Sequence, residues 1–157
     1  MAKEIERKFL VDAEKWENVK PLNYEIYKQG YLCIKDDLII RIRQTPKKSF
    51  LTIKSANKGF SRDEYEYEIP ENDAAELIKN IAGKKIVKKR YKINFSGKLW
   101  EVDEFLEDNA GLIIAEIELN SEEEKFEIPN WVFIEVTGDE RYYNSFISKY
   151  PYSKWQK

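Results

Sequence analysis

Hydrophobic and polar residues alternate from the start of the chain. Between Lys3 and Val11, Ile5, Phe9 and Val11 fall on one parity and Glu4, Glu6 and Lys8 on the other. That is the period of a strand with two unlike faces. Asp12 stands where it can cap a short helical turn through Trp16. The strand period returns in Tyr24–Ile34, Leu38–Gln44, Phe50–Ser55 and Arg62–Ile69, separated by Asp36-Asp37, by Thr45-Pro46-Lys47-Lys48 and by a loop containing Gly59. Pro70 ends the pattern, and Asn72 or Asp73 can cap a helix over Ala74–Ala82 that Gly83 closes. Lys85–Phe95 and Lys98–Leu106 flank Ser96-Gly97 as a hairpin, and Leu112–Leu119 reads as a further strand. Ser121 followed by Glu122, Glu123 and Glu124 reads as a helix start, Phe133–Thr137 as a last short strand and Asp139–Tyr150 as a helix. About eight strands with a few short helices predict an α+β domain on a largely antiparallel sheet, and eight long strands also suffice to close a small barrel. No repeat or linker-like shift interrupts residues 1–157, which are expected to form one domain.

The polar parity is unusual in being almost entirely charged. Glu4 and Glu6 stand together before Lys8, and Arg41 and Arg43 share a face with Lys54 on the polar parity of the next strand. Glu64, Glu66 and Glu68 form an acidic row, Lys88, Arg90 and Lys92 a basic one, and Glu101 with Asp103 and Glu116 with Glu118 form acidic pairs. The opposite parity is apolar, as in Ile40 and Ile42, Leu51 and Ile53, Trp100 and Val102, and Ala115 and Ile117. A solvated face accounts for any one of these strands. It gives no reason for like charges to gather at i and i+2, where they repel. The alternative is a barrel with a charged interior, whose acidic strands hold divalent cations through oxygen while its basic strands grip a phosphate chain.

Composition narrows the chemistry further. The chain has no histidine, which removes a histidine base, a Ser-His-Asp triad and the usual zinc sites. Catalysis must then come from carboxylates, Lys, Arg, Tyr, backbone or hard cations. With 27 basic against 29 acidic residues there is no overall basic field, so nucleic acid is not expected as a partner. No apolar run reaches membrane-span length and Met1-Ala2-Lys3-Glu4 is unlike a signal peptide; with the single Cys33, this predicts a cytoplasmic protein without a membrane association. Trp16, Trp100, Trp131 and Trp155 read as packing residues, although Tyr27, Phe60 or Trp131 would offer a platform to a base if they lined an entrance.

Glu4-Ile5-Glu6-Arg7-Lys8 resembles the ExExK signature of the CYTH superfamily, the triphosphate tunnel metalloenzymes. The likeness continues in order through Gln29-Gly30-Tyr31, Arg41-Ile42-Arg43, Thr52-Ile53-Lys54, Ser61-Arg62-Asp63-Glu64-Tyr65-Glu66, Lys88-Lys89-Arg90-Tyr91, Glu101-Val102-Asp103, Glu116-Ile117-Glu118 and Glu135-Val136-Thr137-Gly138-Asp139. The resemblance implies an eight-stranded antiparallel closed β-barrel with helices packed outside. It implies a small polyanionic triphosphate substrate and two Mg2+ or Mn2+ ions. Carried over, Glu4, Glu6, Asp103, Glu116 and Glu118 match metal carboxylates, with Glu101, Glu64 and Glu66 as further acids of the tunnel. Lys8, Arg41, Arg43, Lys54, Lys88 and Arg90 match phosphate-binding cations, and Lys88 with Tyr31 matches a pair that activates water. The activity implied is hydrolysis of inorganic tripolyphosphate, with nucleoside triphosphates as side substrates. Alternatives are thiamine triphosphatase, class IV adenylyl cyclase and a non-catalytic polyphosphate binder. The cyclases often carry a His-Phe element that this chain lacks. Thr137, Asp139 and Arg141 are expected to fix the last helix.

Overall fold

The computed structural model describes residues 2–55, 61–83 and 85–155. Nine strands carry the chain: β1 (Ala2–Val11), β2 (Glu25–Lys35), β3 (Leu38–Gln44), β4 (Ser49–Ser55), β5 (Ser61–Ile69), β6 (Ile86–Phe95), β7 (Lys98–Phe105), β8 (Ile113–Glu118) and β9 (Val132–Glu135). They pair in the order β5-β4-β3-β2-β6-β7-β8-β1, and β1 returns to β5, so eight antiparallel strands close a barrel. One edge of β1 is shared. Ala2–Ile5 pair with β5, and Phe9–Val11 pair with β9, while β8 runs along the other edge from Glu6 to Leu10. The ninth strand is therefore an appendage to the barrel.

Turn chemistry explains the tight connections. Ser96 and Gly97 both take left-handed backbone, with φ of 48° and 78°, which matches the twist of the β6–β7 hairpin. At the β3–β4 turn, the Lys47 and Lys48 N–H groups donate to Thr45 Oγ1. The helices α1 (Ala13–Glu17), α2 (Glu71–Asn80) and α3 (Asn144–Lys149) are short. Asp12 caps α1 as expected, its side chain accepting from the Lys15 N–H. Helix α2 begins directly after Pro70, ahead of the Asn72 and Asp73 caps expected for it.

Two expectations fail near the C-terminus. No helix starts at Ser121. Glu124 instead accepts from the Asn120 N–H at 2.7 Å, and the bend brings Phe126 back onto Phe9 and Trp100. A helix there would carry Phe126 away from these rings. The helix expected over Asp139–Tyr150 is broken at Tyr143, whose φ and ψ of −73° and 136° are extended. A single 3-10 turn, Glu140–Tyr142, precedes the break and α3 follows it.

The main core lies outside the barrel wall. Ile5, Phe9, Trp100, Val102, Ala115 and Ile117 point outward and are covered by Trp16 of α1, Leu119, Phe126 and Trp131. Burying these residues supplies the bulk of the apolar stabilisation, at roughly 1.5–3 kcal/mol for each large side chain. A second cluster closes one end of the barrel from inside. On the inner parity, Leu10 follows Lys8, Ile39 precedes Arg41, Ile86 precedes Lys88, Phe105 follows Asp103 and Ile114 precedes Glu116. These apolar residues meet Ile147 and Phe146 of α3. The inner face thus changes from charged to apolar at one level on five strands. Among the described residues no helix is long and apolar enough to cross a membrane.

Gly30 shows how closely α2 sits on the wall. A Cβ there would lie 2.7 Å from the Ala82 Cβ, just beyond α2. Gly30→Ala is expected to lower stability by about 1–3 kcal/mol, read as an earlier midpoint in denaturant unfolding. An unchanged midpoint would mean that this contact is not close-packed in solution.

Candidate active site

The inner parities of the eight barrel strands converge on one cavity of about 470 Å³. Strand geometry alone puts them there, because every second residue of a barrel strand faces the axis. Lys8, Arg41, Arg43, Lys54, Lys88 and Arg90 line it, as do Glu4, Glu6, Glu64, Glu66, Glu101, Glu116, Glu118 and Tyr31. Asp103 lies behind this lining, fully buried.

The charges are paired unevenly. Lys54 Nζ lies 3.1 Å from both Glu4 and Glu64, and Arg62 Nε is 3.1 Å from Glu4. Asp103 receives three hydrogen bonds: Lys88 Nζ donates at 2.7 Å, and Arg90 Nε and Nη2 each donate at 2.8 Å. Glu101 takes the remaining side of Arg90 at 3.2 Å, and Glu66 pairs with Arg43 at 3.2 Å. Glu64, Glu66 and Glu101 therefore act as counter-ions to individual cations. Arg41 is different. It is buried, makes no ion pair among the described residues, and its Nε has no hydrogen-bond partner there. A buried guanidinium without a counter-ion is costly unless an anion visits it.

The acids divide in the same way. Burial raises Glu4, but Lys54 and Arg62 outweigh it and hold the carboxyl at about 2. Burial likewise raises Glu116, and Lys8, Arg90 and Lys88 bring it well below the usual carboxylate range. Glu6 has no ion pair among the described residues. Burial, then Glu116 and Glu4, push it well above the usual range, while contact with Glu6 helps to lower Glu116. Glu6 also stands directly across from Glu118, which partial burial and then Glu4, Glu64 and Glu101 raise. Among the described residues no three acids form a ready-made metal cage. The donor set nonetheless fits a hard cation. Glu6, Glu116 and Glu118 line one cavity on the adjacent strands β1 and β8, and their carboxylate oxygens are the ligand type such an ion takes.

Burial pushes Lys88 down, Asp103 opposes this and Arg90 adds to it, which leaves the amine at about 8. Burial pushes the Tyr31 hydroxyl up, and Arg41 and Lys8 only partly offset it. Tyr31 therefore remains a phenol.

Some residues escaped the sequence reading. Arg62 was quoted in its motif without a role, although it shares the inner parity of Glu64 and Glu66 and lines the cavity. Gln29 and Asn144 reach Tyr31 and Lys88; as neutral amides they gave no charge signal. Of the three candidate aromatic platforms, one reaches the cavity. Trp131 is buried among Trp16 and Trp100, and Phe60 lies outside the described residues. Tyr27 lines the cavity, with the Arg90 and Arg43 guanidinium carbons 4.9 Å and 5.5 Å from its ring centre. Both cations compete with a base for that ring. Trp155 packs on Tyr142 and Tyr152, and Thr137 accepts from the Lys8 N–H, which ties the C-terminal segment to β1.

A sequence model described as the CYTH domain matches residues 2–149. The chain belongs to the CYTH family. This CYTH chain is 44% identical over its full length, and over the full length of the relative, to a protein of Acetivibrio thermocellus named inorganic triphosphatase. It is 37% identical to a Nitrosomonas europaea protein of the same name, over 92% of this chain and 96% of that one. The crystal structure of the inorganic triphosphatase NE1496 superposes with a TM-score of 0.65 at 34% identity, over 92% of this chain and 97% of that chain. The closed barrel is the architecture these proteins share.

Proposed function

We propose that this CYTH protein is a divalent-metal-dependent hydrolase that converts inorganic tripolyphosphate to pyrophosphate and phosphate. The observation that carries this reading is a cation-lined cavity inside a closed barrel, in which the buried Arg41 makes no ion pair among the described residues while the acids Glu6, Glu116 and Glu118 also line the wall. Such a site is balanced only when a polyanion and a cation arrive together. The names of the relatives support the same reaction, and the Arg90 and Arg43 guanidiniums beside the Tyr27 ring support an inorganic chain over a nucleotide. A non-catalytic polyphosphate binder would gain nothing from Glu6, Glu116 and Glu118, which repel phosphate.

Phosphoryl transfer asks the protein for positioning and charge stabilisation. Arg41, Arg43 and Arg90 can fork onto phosphate oxygens, while Lys8 and Lys54 act as point charges. Glu6, Glu116 and Glu118, with Glu4, would hold Mg2+ or Mn2+. A cation held there would neutralise phosphate oxygens and make a nearby water easier to deprotonate. Lys88 accepts the proton of the attacking water as its oxygen bonds to the terminal phosphorus. The bond to the bridging oxygen breaks, and pyrophosphate carries away the electron pair. Tyr31 donates a hydrogen bond in this scheme and is not the base. Asp103 holds the two cations, and we assign it no metal. The lone half-buried Cys33 is consistent with a cytoplasmic setting.

The decisive assay incubates the protein with tripolyphosphate or ATP, with and without Mg2+ or Mn2+, and measures phosphate, pyrophosphate and cyclic AMP. Metal-dependent phosphate release, faster from tripolyphosphate, is expected. Cyclic AMP formation, or binding without turnover, would overturn the proposal.

The base role also fixes a pH profile. A neutral amine is needed, so kcat/KM should rise with pH and level off above about 8, where Lys88 loses its proton in the free protein. In Lys88→Ala that rise should vanish together with most of kcat. A weaker KM with the rise intact would instead make Lys88 a binding cation only.

A further inference from the structure

The head of α3 enters the cavity, and one of its side chains is wired to both residues proposed to handle the water. Asn144 Oδ1 accepts from Lys88 Nζ at 3.1 Å and from Gln29 Nε2 at 3.2 Å. Gln29, fully buried, also donates from Nε2 to the Tyr31 hydroxyl oxygen at 2.9 Å. The polarity of this chain is forced. As the ammonium, Lys88 has donors only and gives them to Asp103 and Asn144, so Asn144 turns its oxygen toward it. Gln29 must then present nitrogen to Asn144, and the same nitrogen occupies an acceptor site of Tyr31. The Tyr31 hydrogen is thereby left to point elsewhere, and Tyr31 lines the cavity. The stranded atom is Gln29 Oε1, which is buried without a partner among the described residues. Leaving that oxygen unpaired costs stability, and the orientation of the amide is kept nonetheless.

The consequence for Lys88 is geometric. Its nitrogen has four tetrahedral directions: one is the bond to carbon, one faces Asp103 Oδ2 and one faces Asn144 Oδ1. Lys88 lines the cavity, and the fourth direction is the one left for a group bound there. In the neutral amine, both N–H groups are engaged by Asp103 and Asn144, and the lone pair takes the fourth direction. Without Asn144 the amine is free to turn about its last carbon–nitrogen bond and the lone pair is no longer aimed.

We propose that Asn144 is a positioning residue of this site, which aims the Lys88 lone pair at the attacking water and, through Gln29, turns the Tyr31 hydroxyl hydrogen toward the substrate. The assignment rests on the triphosphatase reading and on Lys88 as the base. The test is a mutant cycle in steady-state tripolyphosphate hydrolysis with Mg2+. Asn144→Ala should lower kcat about ten- to hundredfold, the scale of a misaligned catalytic group, with KM changed less than about twofold. In the Lys88→Ala background the same substitution should cost clearly less, because only the arm through Gln29 and Tyr31 is left for it to disturb. Asn144→Asp keeps an oxygen toward both Lys88 and Gln29 but adds a charge that raises Lys88, so it should recover most of the lost kcat only at the plateau of a pH profile moved upward. A rise in KM at unchanged kcat would make Asn144 a direct phosphate ligand, and an equal loss in both backgrounds would make it merely structural. Either result overturns the proposal. Lys88→Ala at the wild-type rate would instead overturn the base reading beneath it, whereas a slow Lys88→Ala beside a wild-type-like Asn144→Ala would overturn the role of Asn144 alone. If Asn144→Ala does not fold, Gln29→Met cuts only the Tyr31 arm. It must then lower kcat at constant KM and have no added effect in Tyr31→Phe.

Discussion

Asp103→Ala should destabilise the protein by about 3–5 kcal/mol, the cost of stranding buried charges by removing their partner. Asp103 is wholly buried and accepts from Lys88 once and from Arg90 twice. Among the described residues Lys88 keeps only Asn144 as an acceptor once the carboxylate is gone, and Arg90 keeps only Glu101, 3.2 Å away. Burial would raise the Asp103 carboxyl, but Arg90 and then Lys88 bring it below its ordinary value. The linkage sign follows. The stabilisation is fully present above the ordinary carboxylate pKa and is lost as pH falls through the lower folded value. Urea unfolding at neutral pH should therefore show the full deficit, and tripolyphosphate should restore part of it by lending its own negative charge to Lys88 and Arg90. The family resemblance offers a competing expectation, in which Asp103 is a metal carboxylate. In that case Asp103→Ala would unfold like the wild type and need more Mg2+ for activity. The two outcomes do not overlap.

Glu6→Gln should give the opposite signature, a protein as stable as the wild type or more so with activity reduced about a hundredfold or more. Glu6 is pushed well above the usual carboxylate range, first by burial and then by Glu116 and Glu4. A raised carboxyl means that the folded chain holds a proton that the unfolded chain has already released. Stability then falls as pH rises from the ordinary value through the raised one. Glutamine mimics the protonated form at every pH, so without metal the melting temperature of Glu6→Gln at pH 7 should match or exceed that of the wild type. Catalysis should suffer because a neutral amide is a poor ligand for Mg2+ or Mn2+. The several kcal/mol a bound cation contributes to the transition state correspond to at least two orders of magnitude in rate. A large drop in melting temperature would show that Glu6 is structural, and unimpaired turnover would show that it holds no cation.

These two residues also mark where the sequence could and could not be read. Glu6 was legible because its parity is set against Ile5, Arg7 and Phe9, and a period of two needs no tertiary information. The barrel interior follows from the same rule applied to eight strands. Asp103 obeyed the rule as well, but alternation gives only the side of the wall. It does not reveal that the carboxylate sits behind Lys88 and Arg90, whose longer side chains reach past it. Arg62 was concealed by its acidic neighbours Glu64 and Glu66, although it has their parity. The C-terminal segment was the least legible part. Tyr143 breaks the expected helix with an extended conformation that no glycine or proline announces. Asn144, the first residue beyond that break, belongs to the site by contact with Lys88, not by charge. The acidic run after Ser121 misled because it satisfies helix-start chemistry while Phe126 is required elsewhere, and packing prevails over propensity.

The shared edge of β1 has a mechanical side. Among the described residues four pairs, Ala2–Ile5 against Ser61–Glu64, fasten the barrel into a ring. Along that seam the wall closes on itself, so a local opening there would open the cavity as well. Glu4 lies within it, bonded to Arg62 across the seam and to Lys54 on the next strand. The ring is thus buckled by side chains of the same cavity that a triphosphate would fill. Anything bound among Glu4, Lys54 and Arg62 must tighten the buckle, and any slackening of the buckle must loosen what is bound.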